Sequence, residues 1–286
     1  MARAKQNVIT LLWLLVVLFV ALCFGCGVEH FDNNGEPDRL KVFVYETSVE
    51  QSRTQNLEKL LTHFHYDYEI LGKGEAWTGW HGRHVKYREA TERVPDDNFI
   101  LFCDGRDVLI NEDCSKFMKK AMRFYNRKPG SIIFNSESAC CNTGGEFKGT
   151  DDERSRYIQE IRSKFESMSA THNSSKPFLN FGVMFGKCRD FKELFHIMNM
   201  QPGDDDQGLL TMKIMKNEFT NFQLDYKNEL FCITFDEPGW DETQHMYYEP
   251  ELNVRPSLFH FPGKTKWYES CATKLMKVYL NESPFL

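Results

Sequence analysis

A single α/β domain, with helices on both faces of a central sheet, is the fold class that this 286-residue sequence predicts. Three observations carry it. Short apolar runs of strand character alternate with segments whose apolar residues recur at helical spacing. A composition of 41% hydrophobic and 14% aromatic residues is that of a globular chain. The length suffices to bury a sizeable core, and one domain fits the alternation better than two. The formal charge of −6 argues against nucleic acid as the main partner. There is no internal repeat, heptad run or low-complexity segment.

The elements follow in order. LKVFVYE (40–46) alternates as a strand, and VEQSRTQNLEKLLTHFHYD (49–67) sets Leu57, Leu60, Leu61 and Phe64 at helical spacing. YEILG (68–72) is a second strand, and GKGEAWTGWHG (72–82) a loop bearing Gly and Trp. A polar helix from Val85 to Arg93 leads into the strand NFILFCD (98–104). Residues 113–127 are helical with Asp113 as N-cap, 130–138 a strand, and 151–168 a solvated helix. FLNFGVMFGKC (178–188) reads as a strand with a Gly-permitted kink, followed by helices over 190–198 and 205–217. Strands at 222–226 and 231–235 and an aromatic segment at 258–261 close the sheet.

The amino-terminal residues are of another kind. Residues 7–28 hold 21 uncharged, mostly apolar residues after Asn7, about the span of a bilayer core. Arg3 and Lys5 precede them, while Glu29, His30, Asp32 and Glu36 follow. That asymmetry predicts a cytosolic tail (1–6), a type II signal anchor (7–28), a stem (29–38) and a lumenal domain (39–286). A cleaved signal peptide, giving a secreted chain, is the alternative. The expected address is the endoplasmic reticulum or Golgi membrane. Sequons at Asn173 and Asn281 agree with it, the second weakened by Pro284. Seven cysteines lie outside the anchor, and in an oxidising compartment some are expected to pair.

Chemistry concentrates in three places. FCDGRDVLI puts Asp104 and Asp107 three apart at the end of a strand, where open α/β sheets bind ligands. Such acids suit Mg²⁺ or Mn²⁺, which take one or two carboxylates plus substrate phosphates. The plain alternative is a surface turn with Arg106 paired to Asp107. GDDDQ places Asp204, Asp205 and Asp206 ahead of an apolar helix, more acid than an N-cap needs. HFPGKTK sets His260 beside Gly263, Lys264 and Lys266, a metal ligand next to a basic loop suited to a diphosphate.

These segments, with GKGEAWTGW, IIFNSESACC and FLNFGVMFG, occur in the order found in the procollagen lysyl hydroxylase/glycosyltransferase family. Residues 40–270 resemble that family's glycosyltransferase domain, and the resemblance implies a GT-A-like, Rossmann-like fold with a mixed central sheet. It implies Mn²⁺ (or Mg²⁺) held by Asp104, Asp107 and His260. Thr47, Trp77 and Tyr87 would contact the nucleotide of a UDP-sugar, and Gly263, Lys264 and Lys266 its diphosphate. Asp205, Asp206, Asn180 and Glu137 would line the sugar and acceptor side as catalytic residues. The activity implied is hexose transfer from UDP-glucose or UDP-galactose to hydroxylysine, or galactosyl-hydroxylysine, of a collagen-like acceptor.

The sequence departs from the family at several points. Arg106 stands where relatives carry an aromatic, Pro262 where they carry Asn, and Tyr87 where they carry Trp. The family's C-terminal hydroxylase part is not expected in this chain. Two rival readings remain. His65-Tyr66-Asp67 is an HxD, as in non-haem iron oxygenases, but it ends an amphipathic helix rather than sitting on a strand. The other rival is a catalytically inactive lumenal protein of sugar-nucleotide fold that binds or scaffolds. Retention of all three metal-ligand residues favours activity.

Overall fold

This computed structural model describes residues 39–48, 52–139, 150–263 and 266–281. In β1 (Leu40–Tyr45), Val42 and Val44 join one apolar cluster while Phe43 and Tyr45 join another, and all four are buried. Alternation with apolar residues on both sides is what a strand covered on both faces requires. β3 (Phe99–Asp104) repeats the pattern: Phe99, Leu101 and Cys103 belong to the first cluster, Ile100 and Phe102 to the second.

Helices cover both faces, as expected. The first receives Leu57, Leu60 and Leu61 of α1 (Ser52–His63), which precedes β2 (Tyr68–Leu71). The second receives Tyr87 and Ala90 of α2 (Gly79–Thr91). After β4 (Val108–Ile110), α3 (Cys114–Tyr125) adds Phe117 and Ala121 to the first face. Asp113 caps α3 by accepting from the Ser115 amide at 2.8 Å. β5 (Ile132–Glu137), α4 (Asp151–Ala170), β6 (Phe178–Lys187), α5 (Cys188–Met198) and α6 (Asp206–Met215) follow. The second face takes Phe165 of α4, Phe191 and Phe195 of α5, and Leu210 of α6.

The main sheet has the order β2-β1-β3-β6-β5-β7, with β7 spanning Phe222–Leu224. It is mixed: β1 runs parallel to β2 and β3, and β5 parallel to β7, but β6 runs antiparallel to both β3 and β5. The reversal puts the start of β6 beside the carboxyl ends of β3 and β5, so Asp104, Glu137, Asn180 and Gly182 share one end of the sheet. A second sheet has the order β4-β11-β8, from β8 (Phe231–Ile233) and β11 (Leu258–His260), and a hairpin joins β9 (Gly239–Asp241) to β10 (Met246–Tyr248). α7 (Lys266–Leu275) and a π-helical turn (Met276–Leu280) end the described chain. Two expected strands are therefore shorter than read, and one of them leaves the main sheet. β4, β9 and β10, three residues each, are too short for any periodicity to show them.

Asp225 fixes the passage from β7 to β8. Its buried carboxylate accepts from the amides of Leu230, Phe231 and Glu229 at 2.6, 2.8 and 3.0 Å. Burial nevertheless pushes its pKa up to about 6. A carboxyl raised in the fold contributes stability that is complete below about pH 4 and is lost as pH rises through 6. Relative to D225N, which does not titrate, the wild type should lose about 3 kcal/mol between pH 4 and 7. Urea unfolding of both proteins across that range checks it, and a constant difference would contradict it.

Cys103, Cys114, Cys188, Cys232 and Cys271 are unpaired thiols, so the expected disulfides are not found among the described residues. Four of the five are buried, where they pack as small hydrophobes. Cys188, for instance, directs its thiol at the Thr91 and Val94 carbonyls at 3.2 and 3.3 Å. Cys140 and Cys141 lie outside the described residues, as do the tail, anchor and stem (1–38). Among the described residues no helix is long and apolar enough to cross a membrane. Asn173 of the first sequon is exposed on the turn after α4. Among the described residues the HxD joins no metal-ligand cluster: α1 ends at His63, Tyr66 is buried, and Asp67 accepts from Lys41 at 2.6 Å.

Candidate active site

Three ligand atoms of Asp104, Asp107 and His260 lie within 4.8 Å of one another. Asp104 ends β3, and the chain turns through Gly105 and Arg106 to bring Asp107 to the head of β4. β11 pairs with β4 so that His260 faces Val108, and the Phe261 amide donates to the Asp107 carbonyl at 2.7 Å. This registration carries a residue 153 positions downstream onto the strand-end acids. His260 Nε2 stands 3.4 Å from Asp107 Oδ1 and 3.9 Å from Asp104 Oδ2.

The electrostatics are those of acids that a cation would balance. Burial pulls the His260 pKa down, but Asp107 and Asp104 outweigh it and hold it above the ordinary histidine value. Burial, with Asp107 beside it, raises Asp104 in spite of Arg83. Asp107 Oδ1 is buried and accepts no hydrogen bond. Gly182 of β6 leaves room for the cluster, since a Cβ there would stand 2.8 Å from Asp104 Oδ2 and collide with the His260 ring. The orphaned oxygen, the glycine cradle and the hard O,O,N donor set all fit a divalent cation. G182A should therefore weaken Mn²⁺ binding at least about tenfold. Its stability cost should be only about 1–3 kcal/mol, measured by metal titration beside thermal melting.

Next to the cluster opens a cavity of about 440 Å³, lined by Tyr45, Glu46, Thr47, Trp77, Trp80, Arg83, Asp104, Gly105, Arg106 and Asp107. Trp77 and Trp80 meet edge to face at 5.0 Å, and Trp77 is half-exposed, offering an aromatic wall. Arg106 does not pair with Asp107, as a plain surface turn would have it. Its fork grips the buried Glu46 at 2.6 and 2.8 Å, and against burial it holds Glu46 below the ordinary carboxyl value.

Arg83 joins the metal cluster to the start of α6. Its Nη1 donates to Asp104 Oδ1, while Nε and Nη2 donate to Asp206 Oδ2 at 3.0 and 2.6 Å. The guanidinium is buried, with Trp80 at 4.6 Å and Phe181 at 5.6 Å from its central carbon. Burial lifts Asp206 to about 6 even so. Asp205 is the N-cap of α6, accepting from the Gly208 amide at 2.7 Å. On the other side Gln207 donates to Glu137 at 2.6 Å and accepts from the Phe181 amide at 3.1 Å. Asn180 accepts from the Gly182 amide at 2.8 Å and hydrogen-bonds Glu137, whose pKa burial raises.

The structure thus gathers Asp104, Asp107 and His260, sets Thr47 and Trp77 on the adjoining wall, and places Glu137 and Asn180 together nearby. Tyr87 is a correction: its ring is buried against Phe102 at 4.1 Å and reaches no ligand space. α2 starts at Gly79 rather than Val85, and Tyr87 lies on its sheet-facing side, beside Phe102 and Phe195. Gly263 lies on an exposed turn at φ +80° and Lys266 is exposed at the start of α7. Lys264 lies outside the described residues. Arg83, Trp80, Glu46 and Gly182 escaped the sequence reading. Arg83 precedes Tyr87 by one helical turn, so extending the helix back to Gly79 would have revealed it.

No family model matches the chain. It is similar to the multifunctional procollagen lysine hydroxylase and glycosyltransferase of Caenorhabditis elegans, 23% identical over 250 residues and 77% of this chain. The chain spans 30% of that relative's length. A solved glycosyltransferase involved in the glycosylation of the major capsid of PBCV-1 aligns with TM-score 0.48 and 14% identity, over 83% of this chain and 98% of that one. The ordered motifs and the curated relative agree: this chain is similar to the procollagen lysyl hydroxylase/glycosyltransferase family, and the likeness supports a glycosyltransferase domain.

Proposed function

We propose that this is a metal-dependent glycosyltransferase of GT-A type, moving a hexose from a UDP-sugar to an acceptor hydroxyl. The observation that carries the reading is the Asp104–Asp107–His260 cluster opening onto a cavity walled by Trp77 and Trp80. Asp104, Asp107 and His260 would hold Mn²⁺ or Mg²⁺, which when bound supplies Lewis-acid stabilisation to the departing diphosphate. Trp77 offers its face to the uracil, with Thr47 beside it. By the family resemblance Gly263, Lys264 and Lys266 would meet the diphosphate.

The protein's own groups do the rest. Arg83 orients Asp104 through one nitrogen and holds Asp206 through two others, so Asp206 acts as a positioning group. Asp205 is engaged in capping α6. Glu137, raised by burial and steered by Gln207 and Asn180, is the carboxyl best suited to orient or deprotonate an acceptor hydroxyl. By family likeness the acceptor is hydroxylysine or galactosyl-hydroxylysine of a collagen-like protein, reached in the lumen by an anchored enzyme. The test is UDP release with Mn²⁺ over a panel of UDP-sugars, with and without hydroxylysine-containing collagen peptides. Turnover of UDP-glucose or UDP-galactose that rises with peptide is expected. Failure to bind UDP–Mn²⁺ at all would refute the reading.

A further inference from the structure

One guanidinium serves two acids of different function. Arg83 holds Asp104 Oδ1 through one nitrogen and Asp206 Oδ2 through two others. Only the opposite oxygen of Asp104, Oδ2, faces His260, while Asp206 lies outside the ligand cluster altogether. Arg83 and Asp206 side chains are 4% and 3% exposed, so water screens that pair poorly, whereas the Asp104 side chain is 25% exposed. Any divalent cation arriving at Asp104 therefore shares a carboxylate with a permanent positive charge.

We infer that Arg83 is a resident counter-cation that competes with the divalent ion for Asp104, and that Asp206 sets metal affinity by drawing Arg83 away. The inference rests on the proposed transferase reading and assigns Arg83 and Asp206 as positioning residues for the metal centre. Two effects of Arg83 oppose each other. As an outer partner it orients Asp104, a role whose loss costs roughly ten- to hundredfold in metal affinity elsewhere. As a fixed positive charge on the opposite oxygen of the same carboxylate it repels a divalent ion, and on this inference the repulsion is the larger effect. Removal of the arginine must then tighten metal binding. A purely structural role predicts the reverse.

Titration of Mn²⁺ into the full chain in detergent, without nucleotide, separates the two. R83Q is expected to tighten Mn²⁺ about tenfold, and D206N, which leaves Arg83 to Asp104 alone, to weaken it about tenfold. Adding D206N to R83Q is expected to change affinity less than about twofold, because the coupling runs through Arg83. Weaker or unchanged binding in R83Q, or a D206N effect of equal size in both backgrounds, overturns the inference. In the wild type, where folding is not at issue, saturating Mg²⁺ should shift the Arg83 guanidinium NMR resonances, and an unchanged spectrum overturns it too. A wild type that binds neither ion would overturn the transferase reading itself, whereas metal binding indifferent to Arg83 sinks this inference alone.

Discussion

Changing Asp104 and Asp107 together to asparagine should lower Mn²⁺-dependent UDP release by on the order of a thousandfold, the loss of several kcal/mol of leaving-group stabilisation. The reason is charge rather than shape. Asparagine keeps the volume and one carbonyl oxygen but removes both negative charges that a hard cation requires. Folding should survive, because Asp206 still holds Arg83 through two nitrogens and asparagine at 104 still offers it a carbonyl oxygen. Burial and Asp107 already hold Asp104 above its ordinary pKa. The variant should still unfold cooperatively in chelator, at some cost from the weakened Arg83 pairing, and the wild type alone should gain stability on adding Mn²⁺. Equal turnover by the two proteins would remove these acids from the mechanism.

The second large effect is on stability. R83A should cost about 3–5 kcal/mol, since it leaves Asp104 and Asp206 without their shared cation. Exposed ion pairs on this protein, such as Lys192–Asp96, should cost no more than about 1 kcal/mol when broken. The difference lies in burial: Arg83 cannot be replaced by water. If unpaired charge is the cause, adding D206N to R83A should recover a large part of the loss. Urea unfolding of the two variants decides it. A loss below about 1 kcal/mol in R83A would show that water reaches the site after all.

How much of this was legible in the residues follows physical lines. Strands β1, β3 and β6 were readable because a sheet covered on both faces demands unbroken apolar runs, and LKVFVY, FILFCD and FLNFGVMFGK supply them. The Asp113 cap was readable because capping is a contact between near neighbours. The strand-end acids stood out because charge directly after such a run is costly without a partner. Tyr87 was misplaced because its role came from the family resemblance alone, and residue type does not show which face of α2 packs on the sheet.

What the sequence determined by itself is the local and periodic part: which runs are strands and helices, where caps fall, and which residue types suit a divalent cation and a nucleotide. What the tertiary structure alone decided is which distant residues share a charge or a surface. His260 reaches Asp107 through strand pairing across 153 positions. Glu46 meets Arg106 across 60 and Arg83 meets Asp206 across 123. No periodicity marks such pairs. Coulomb interactions and hydrogen bonds depend on distance in space, and the antiparallel placement of β6 and the β4-β11 register fix those distances only once the sheets are assembled.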